Sequence, residues 1–264
     1  MNRFLLTLVV CVGLCSCGDA PADQATGDAR PLNAENTLDV LVHPEWSRNA
    51  VIYELNVRQH SPKGDLKSAT ADLARIKQLG VDVIWLMPIH PIGKLNRKGG
   101  ENGEHGIVEP GSSSLGSPYS VQDYMALNPD FGTMEDLDAF VTNAHDYGMK
   151  VILDWVANHT SFDAVWAMDS VASAYYLRSP EGELQHPENT DWTDVAQLDW
   201  DNGEGNGLYD AMEEAMLFWV RDHNLDGYRC DVAGKVPTAF WNRVRRSLEE
   251  VEPEVFMLAE AEEP

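Results

Sequence analysis

The chain has 264 residues, enough for one large domain or two small ones, and 44% of them are hydrophobic, enough for a sizeable core. Its 43 acidic residues against 19 Lys and Arg give a formal charge of −24. A surface this acidic repels nucleic acid and anionic membrane, which leaves a neutral or cationic partner, or acidity that serves only to keep the surface soluble.

The first 17 residues, "MNRFLLTLVVCVGLCSC", place Arg3 before an apolar run from Phe4 to Leu14. That run is too short to span a bilayer and has the length of a signal-peptide core. "LCSC" resembles a bacterial lipoprotein cleavage box, which predicts an exported protein whose only membrane contact is a lipidated Cys17, at the cell surface or in the periplasm. Ordinary secretion is the alternative. Cys11 and Cys15 would leave with the signal, so Cys230 is the one free thiol of the mature domain, which then holds no internal disulfide. Cys230 is expected to pack behind its strand. Residues 18–45, rich in Ala, Asp, Pro and Asn without a sustained period, read as a flexible tether.

From Trp46 onward strands and helices alternate. "VIYELNV" (51–57) is a strand, "ADLARIKQLG" (71–80) a helix closed by Gly80, and "VDVIWLM" (81–87) a strand. "TMEDLDAFVTNAHDYG" (133–148) opens with Thr133 and Asp136 in a capping-box pattern and closes with Gly148. Strand "KVILDWV" (150–156), helix "LYDAMEEAMLFWVRDHN" (208–224), strand "DGYRCDV" (226–232), helix "PTAFWNRVRRSLEEV" (237–251) and strand "VFMLAE" (255–260) complete the series. Five apolar strands separated by helices predict a parallel sheet covered by helices, either doubly wound or part of a (β/α)₈ barrel. No Gly-rich fingerprint follows the first strand, as a dinucleotide fold would require. Polar residues gather instead at strand C-termini (Asn56, His90, Asp154, Asp231 and Glu260), where barrel enzymes place their chemistry. The long connections 88–132 and 157–207 lie on the same side.

In "GYRCDV", Arg229 and Asp231 are two apart on a strand and point to one side. A neighbouring guanidinium keeps a carboxylate ionised, and an ionised, positioned carboxylate can act as a nucleophile; a purely structural Arg–Asp pair is the other reading. Glu260 ends the next strand. Neighbouring strands lie about 4.8 Å apart, so the two carboxyls could approach to about 5–5.5 Å, the separation of a retaining glycosidase. Glu260 would have to stay protonated there, and its apolar strand and the Asp231 charge both push that way. Asp154, Asn158 and His159 of "DWVANH" fit either a metal cluster or a hydrogen-bond network. Tyr119 in "GSPYSVQDY" offers an aromatic face of the kind sugars stack on.

Together "SPYSVQDY" with "FGT", "DWVANH", "GYRCDV" and "FMLAE", in that order from about Trp46 to Pro264, resemble the α-amylase family of glycoside hydrolases (family 13). The resemblance implies a partial (β/α)₈ TIM-type barrel, its first five strands, over 46–264, with residues 157–207 as the excursion the family calls domain B. It implies Asp231 as nucleophile, Glu260 as general acid/base, Arg229 as the group that orients Asp231 and holds it charged, and Asp154, His159 and Tyr119 as ligands of the sugar at subsite −1. The substrate implied is an α-glucan such as starch, or a maltooligosaccharide. Hydrolysis is the expected reaction, with transglycosylation or isomerisation through the same covalent intermediate, or non-catalytic glucan binding at the cell surface, as alternatives.

Three departures from the family pattern stand out. Gly234-Lys235 replaces a frequent Lys-His after the nucleophile, in a region that touches sugars beyond the scissile bond. Asn158 matches a calcium ligand of many members and so implies Ca²⁺ as the one cofactor, but Gln197 stands where an acidic ligand is common, and an amide binds Ca²⁺ more weakly than a carboxylate. The family barrel also has eight strands, with a third essential carboxylate on the seventh. A sequence that reaches five reads as the N-terminal piece of a longer catalytic domain, with a self-contained half-barrel as the alternative.

Overall fold

A computed structural model describes residues 43–99, 106–108 and 113–261. The expected signal (1–17) and nearly all of the expected tether (18–45) lie outside the described residues. The strands and helices run in chain order β1 (Ile52–Leu55), α1 (Val57–His60), α2 (Leu66–Gln78), β2 (Val83–Leu86), α3 (Met134–Asp146), β3 (Lys150–Trp155), β4 (His159–Thr160), α4 (Val165–Met168), β5 (Ala196–Gln197), α5 (Leu208–His223), β6 (Gly227–Cys230), α6 (Thr238–Val251) and β7 (Phe256–Ala259). β1, β2, β3, β6 and β7 form one five-stranded sheet in that order, each pair parallel. β4 and β5 make a separate two-residue antiparallel ribbon. This is the expected α/β architecture, a partial barrel of the TIM type.

Local chemistry sets the element limits. The helix expected at 71–80 begins earlier, at Leu66, because the Asp65 carboxylate accepts the Ser68 N–H at 2.8 Å and caps the first turn. The capping box of Thr133 and Asp136 opens α3. Gly80 and Gly148 take left-handed φ values of 84° and 68° just past α2 and α3, where a side chain would be strained. The helices lay apolar stripes on the sheet: Leu66, Ala69, Leu73 and Ile76 of α2, Met212, Ala215, Met216 and Trp219 of α5, and Phe240, Val244 and Leu248 of α6 are all buried. Val151, Ile152 and Leu153 of β3 are buried on both faces, as a central parallel strand requires. Cys230 is buried in the same core, as expected.

Two contacts fix the N-terminal ends of the strands. The buried Asp226 carboxylate accepts the Val151 N–H at 2.7 Å, pairs with Lys150 Nζ at 2.9 Å and meets His145 Nε2 at 2.7 Å. It thereby ties the start of β6 to the start of β3 and the end of α3. Gly227 has φ 144°, and a Cβ there would lie 1.8 Å from the Phe256 carbonyl oxygen, so only glycine lets β7 approach β6 this closely.

Candidate active site

The opposite, C-terminal ends of β3, β6 and β7 carry the charged cluster. The register pairs Asp154 with Arg229, and Arg229 with Leu258. Asp231 lies two residues beyond Arg229, and Glu260 two beyond Leu258, so strand alternation brings four charged groups to one face. Arg229 is their hub. Its Nη1 donates to Asp154 Oδ1 and to Asp231 Oδ1, both at 2.9 Å, and its Nη2 pairs with Glu260 Oε1 at 2.5 Å. The Trp85 ring lies 4.9 Å from the guanidinium carbon. Trp85 Nε1 and the Tyr119 hydroxyl both donate to Asp154 Oδ2, at 3.1 and 3.2 Å.

Three carboxylates therefore share one guanidinium, and all but Glu260 are largely buried. Burial is the dominant cause that pushes Asp154 up to about 6, and the Arg229, Trp85 and Tyr119 contacts offset only part of it. Burial and then the Asp154 charge push Asp231 up to about 7, with Arg229 opposing. Arg229 does meet Asp231, but the guanidinium is divided among three acids, and desolvation works against its hold on the Asp231 charge. Burial also works against the Arg229 charge, yet the acids more than offset it and raise its pKa.

Glu260 is the most open member, with its side chain 34% exposed against 11% for Asp231. Its Oε2 accepts the Val232 N–H at 2.9 Å, so both of its oxygens face donors. Val232 delivers that N–H by adopting φ 37°, a left-handed conformation that is strained for a β-branched residue and costs on the order of 1–3 kcal/mol. The backbone makes the same join: Glu260 N–H donates to the Cys230 carbonyl at 3.0 Å and Ala233 N–H to the Glu260 carbonyl at 2.8 Å.

These groups line a cleft of about 570 Å³. Tyr119, His159, Arg229, Asp231 and Glu260 reach it, while Asp154 lies fully buried behind Tyr119 and Arg229. Burial holds His159 down to about 4, so its imidazole is neutral at neutral pH. Asn158 does not line the cleft; its Nδ2 meets His159 Nδ1 at 3.2 Å and its amide pairs with that of Gln197. Of the other strand-end residues, His90 is completely buried among Tyr124, Trp155 and Trp219, and Asn56 stands at the start of α1 without a capping hydrogen bond from its side chain. Neither belongs to the cleft wall, since a side chain at a strand end can turn behind the sheet as readily as over it.

Sequence reasoning missed Trp85, Val232 and the wall formed by Trp192. Trp192 packs on His159 with ring centroids 5.5 Å apart, and Lys235 Nζ lies 5.9 Å from the Trp192 ring. Lys98, from the connection after β2, holds this wall by donating to the Asp191 carbonyl at 2.5 Å and pairing with Asp194 at 3.5 Å. The aromatic content of 157–207 was the available signal, but nothing in the sequence singles out Trp192 from Trp166 or Trp200.

Residues 34–197 match the family model of the alpha amylase catalytic domain. The chain is 32% identical over 256 residues to an alpha-1,4-glucan:maltose-1-phosphate maltosyltransferase of Salinibacter ruber, an alignment that covers 92% of this chain and 36% of the relative. It is 34% identical over 207 residues to the enzyme of that name from Mycobacterium tuberculosis, covering 76% of this chain and 28% of the relative. Among solved structures it superimposes on an alpha-amylase from Lactobacillus plantarum with a TM-score of 0.70 at 41% identity, over 80% of this chain and 45% of that one. A noncanonic maltogenic alpha-amylase from Thermotoga neapolitana gives 0.68 at 35% identity, over 82% and 46%. The chain thus spans about a third of the length of the curated relatives and under half that of the solved ones.

Proposed function

The chain belongs to the alpha-amylase catalytic-domain family, and from that premise we propose that it carries the catalytic half-site of a retaining enzyme acting on α-glucosidic bonds. The observation that carries this reading is the sharing of one guanidinium: Arg229 holds Asp231 and Glu260 together at the floor of an open cleft.

In the first step the Asp231 carboxylate attacks the anomeric carbon, the glycosidic C–O bond breaks, and Glu260 gives its proton to the leaving oxygen. In the second step Glu260 takes a proton from the incoming hydroxyl, whose oxygen attacks the anomeric carbon and releases Asp231. Asp154, buried behind the cleft wall, holds Tyr119 and Arg229 in place, Tyr119 stacks on the ring, and the neutral His159 donates to a hydroxyl. In the free cleft both Glu260 oxygens face donors, Arg229 Nη2 and the Val232 N–H, so substrate must displace those contacts before Glu260 can serve the leaving oxygen.

Water as the second-step acceptor gives hydrolysis, and a sugar hydroxyl gives transfer. Two observations favour transfer as a second reading: the curated relatives are named maltosyltransferases, and Trp192 with Lys235 forms a wall beside the carboxylates on which an acceptor sugar could stack. The test is to incubate the protein with a 2-fluoro-glucosyl donor bearing a good leaving group and to weigh it intact. A covalent adduct on Asp231, absent from Asp231→Asn, is expected. Product analysis on maltooligosaccharides then separates hydrolysis from transfer. Glucan binding with no adduct and no turnover would instead favour a binding protein.

A further inference from the structure

Gln197 uses its whole side chain inside the junction between the end of β3 and segment 157–207. Its Nε2 donates to the Asn158 backbone carbonyl at 3.1 Å, to Asn158 Oδ1 at 3.1 Å and to the Leu198 carbonyl at 2.9 Å. Its Oε1 accepts from Asn158 Nδ2 at 3.2 Å. Three oxygens therefore converge on one point, and the group at that point is an N–H donor. Calcium takes six to eight oxygen ligands at about 2.3–2.6 Å, and an N–H group aimed into the site supplies none of them. An ion at this point would have to expel the amide that the oxygens already bind. Among the described residues, no three His, Cys, Asp or Glu side chains gather to hold a metal. The donor set thus does not fit the ion that the sequence resemblance implies at Asn158.

The geometry points to Gln197 as a built-in substitute for a bound cation: its side-chain amide fills the oxygen-lined point, and the junction is held without calcium. The β4–β5 ribbon pairs only His159 with Gln197 and Thr160 with Ala196, and a ribbon this short has little stability of its own. The amide adds to the two other ties across the junction, from the Leu198 N–H to the Asn158 carbonyl at 3.2 Å and from Trp200 Nε1 to the Ala157 carbonyl at 3.1 Å. The same amides extend to the cleft, because Asn158 Nδ2 donates to His159 Nδ1 at 3.2 Å. With Nδ1 as acceptor, Nε2 carries the imidazole proton. This inference is independent of the proposed reaction, since it concerns how the excursion is seated.

Thermal unfolding and equilibrium dialysis against calcium test it on the full chain, comparing wild type with Gln197→Glu and Gln197→Ala. The wild type is expected to have the same Tm in EDTA and in calcium, and Gln197→Ala to have a lower Tm in both with the calcium stoichiometry of the wild type. Gln197→Glu puts a fourth oxygen group among the three and removes the donor, so it should be destabilised in EDTA and bind one calcium per chain more than the wild type. At calcium 100-fold above its dissociation constant, the unfolding equilibrium of that variant should fall by about 100-fold. A calcium ion held by the wild type and released by Gln197→Ala overturns the inference, as does a folded Gln197→Glu that gains no site. If Gln197→Glu does not fold in either medium, the wild type and Gln197→Ala decide the question between them.

Discussion

Replacing Asp231 by Asn should abolish turnover and at the same time stabilise the fold, increasingly so as the pH rises. Asp231 is buried, and its pKa moves from 3.8 up to about 7 on folding. An acid whose pKa is raised binds its proton more tightly in the native state, so the native state loses stability as pH climbs from about 4 to about 7. At about 1.36 kcal/mol per unit, the full shift corresponds to about 4 kcal/mol. That is an upper bound, because Asp154 and Asp231 share Arg229 and a proton taken up by one relieves the other. Half of it, about 2 kcal/mol, is the expected gain above pH 7, falling to under about 1 kcal/mol at pH 5 and to nothing below pH 4. The Asn side chain retains an oxygen for Arg229 Nη1, so that donor stays paired. Urea unfolding of wild type and variant at these pH values, with the slopes compared to ensure that the same surface is exposed, measures the difference. A gain of equal size at pH 4 and pH 8, or a loss at pH 8, would refute the argument that desolvation outweighs Arg229.

Glu260→Gln should lose activity on natural glucans while sparing activated aryl or fluoride donors, whose leaving groups need no proton; comparable losses on both substrate classes would remove Glu260 from the acid role. In the wild type, kcat/KM should fall as pH drops below about 7, because Asp231 must be ionised to attack; a flat acid limb down to pH 5 contradicts this. Asp226→Asn should destabilise the protein at pH 7 by about 3 kcal/mol, since it breaks a buried charge held by Lys150, His145 and the Val151 N–H. Folding lowers the Asp226 pKa below its ordinary 3.8, so this deficit should persist down to about pH 4 and shrink only as the pH falls further, which urea midpoints can follow. Gly227→Ala should cost about 3 kcal/mol or more, because its Cβ would displace the Phe256 carbonyl and part β7 from β6; an unchanged Tm would show that the strands yield freely.

The five strands and the four long helices were legible because their signals are local. Runs of Val, Ile and Leu, the Thr133–Asp136 box and the closing Gly148 need no partner to be read. The placement of Asp154, Arg229, Asp231 and Glu260 at strand ends followed from the same pattern, and strand alternation put Arg229 and Asp231 on one side. The tertiary structure alone decided how charge is divided among them. Burial is a property of everything packed around a side chain, and no sequence window reports that one guanidinium must serve three acids. The same holds for Trp85, which covers Arg229 from two strands away, for Trp192, brought to the cleft by a cation from a different connection, and for Gln197, whose amide could be read in the sequence only as a weak ligand. Residue types and spacing determined which groups could meet, but the three-dimensional packing determined which charges are desolvated, because that energy depends on distances between segments far apart in the chain.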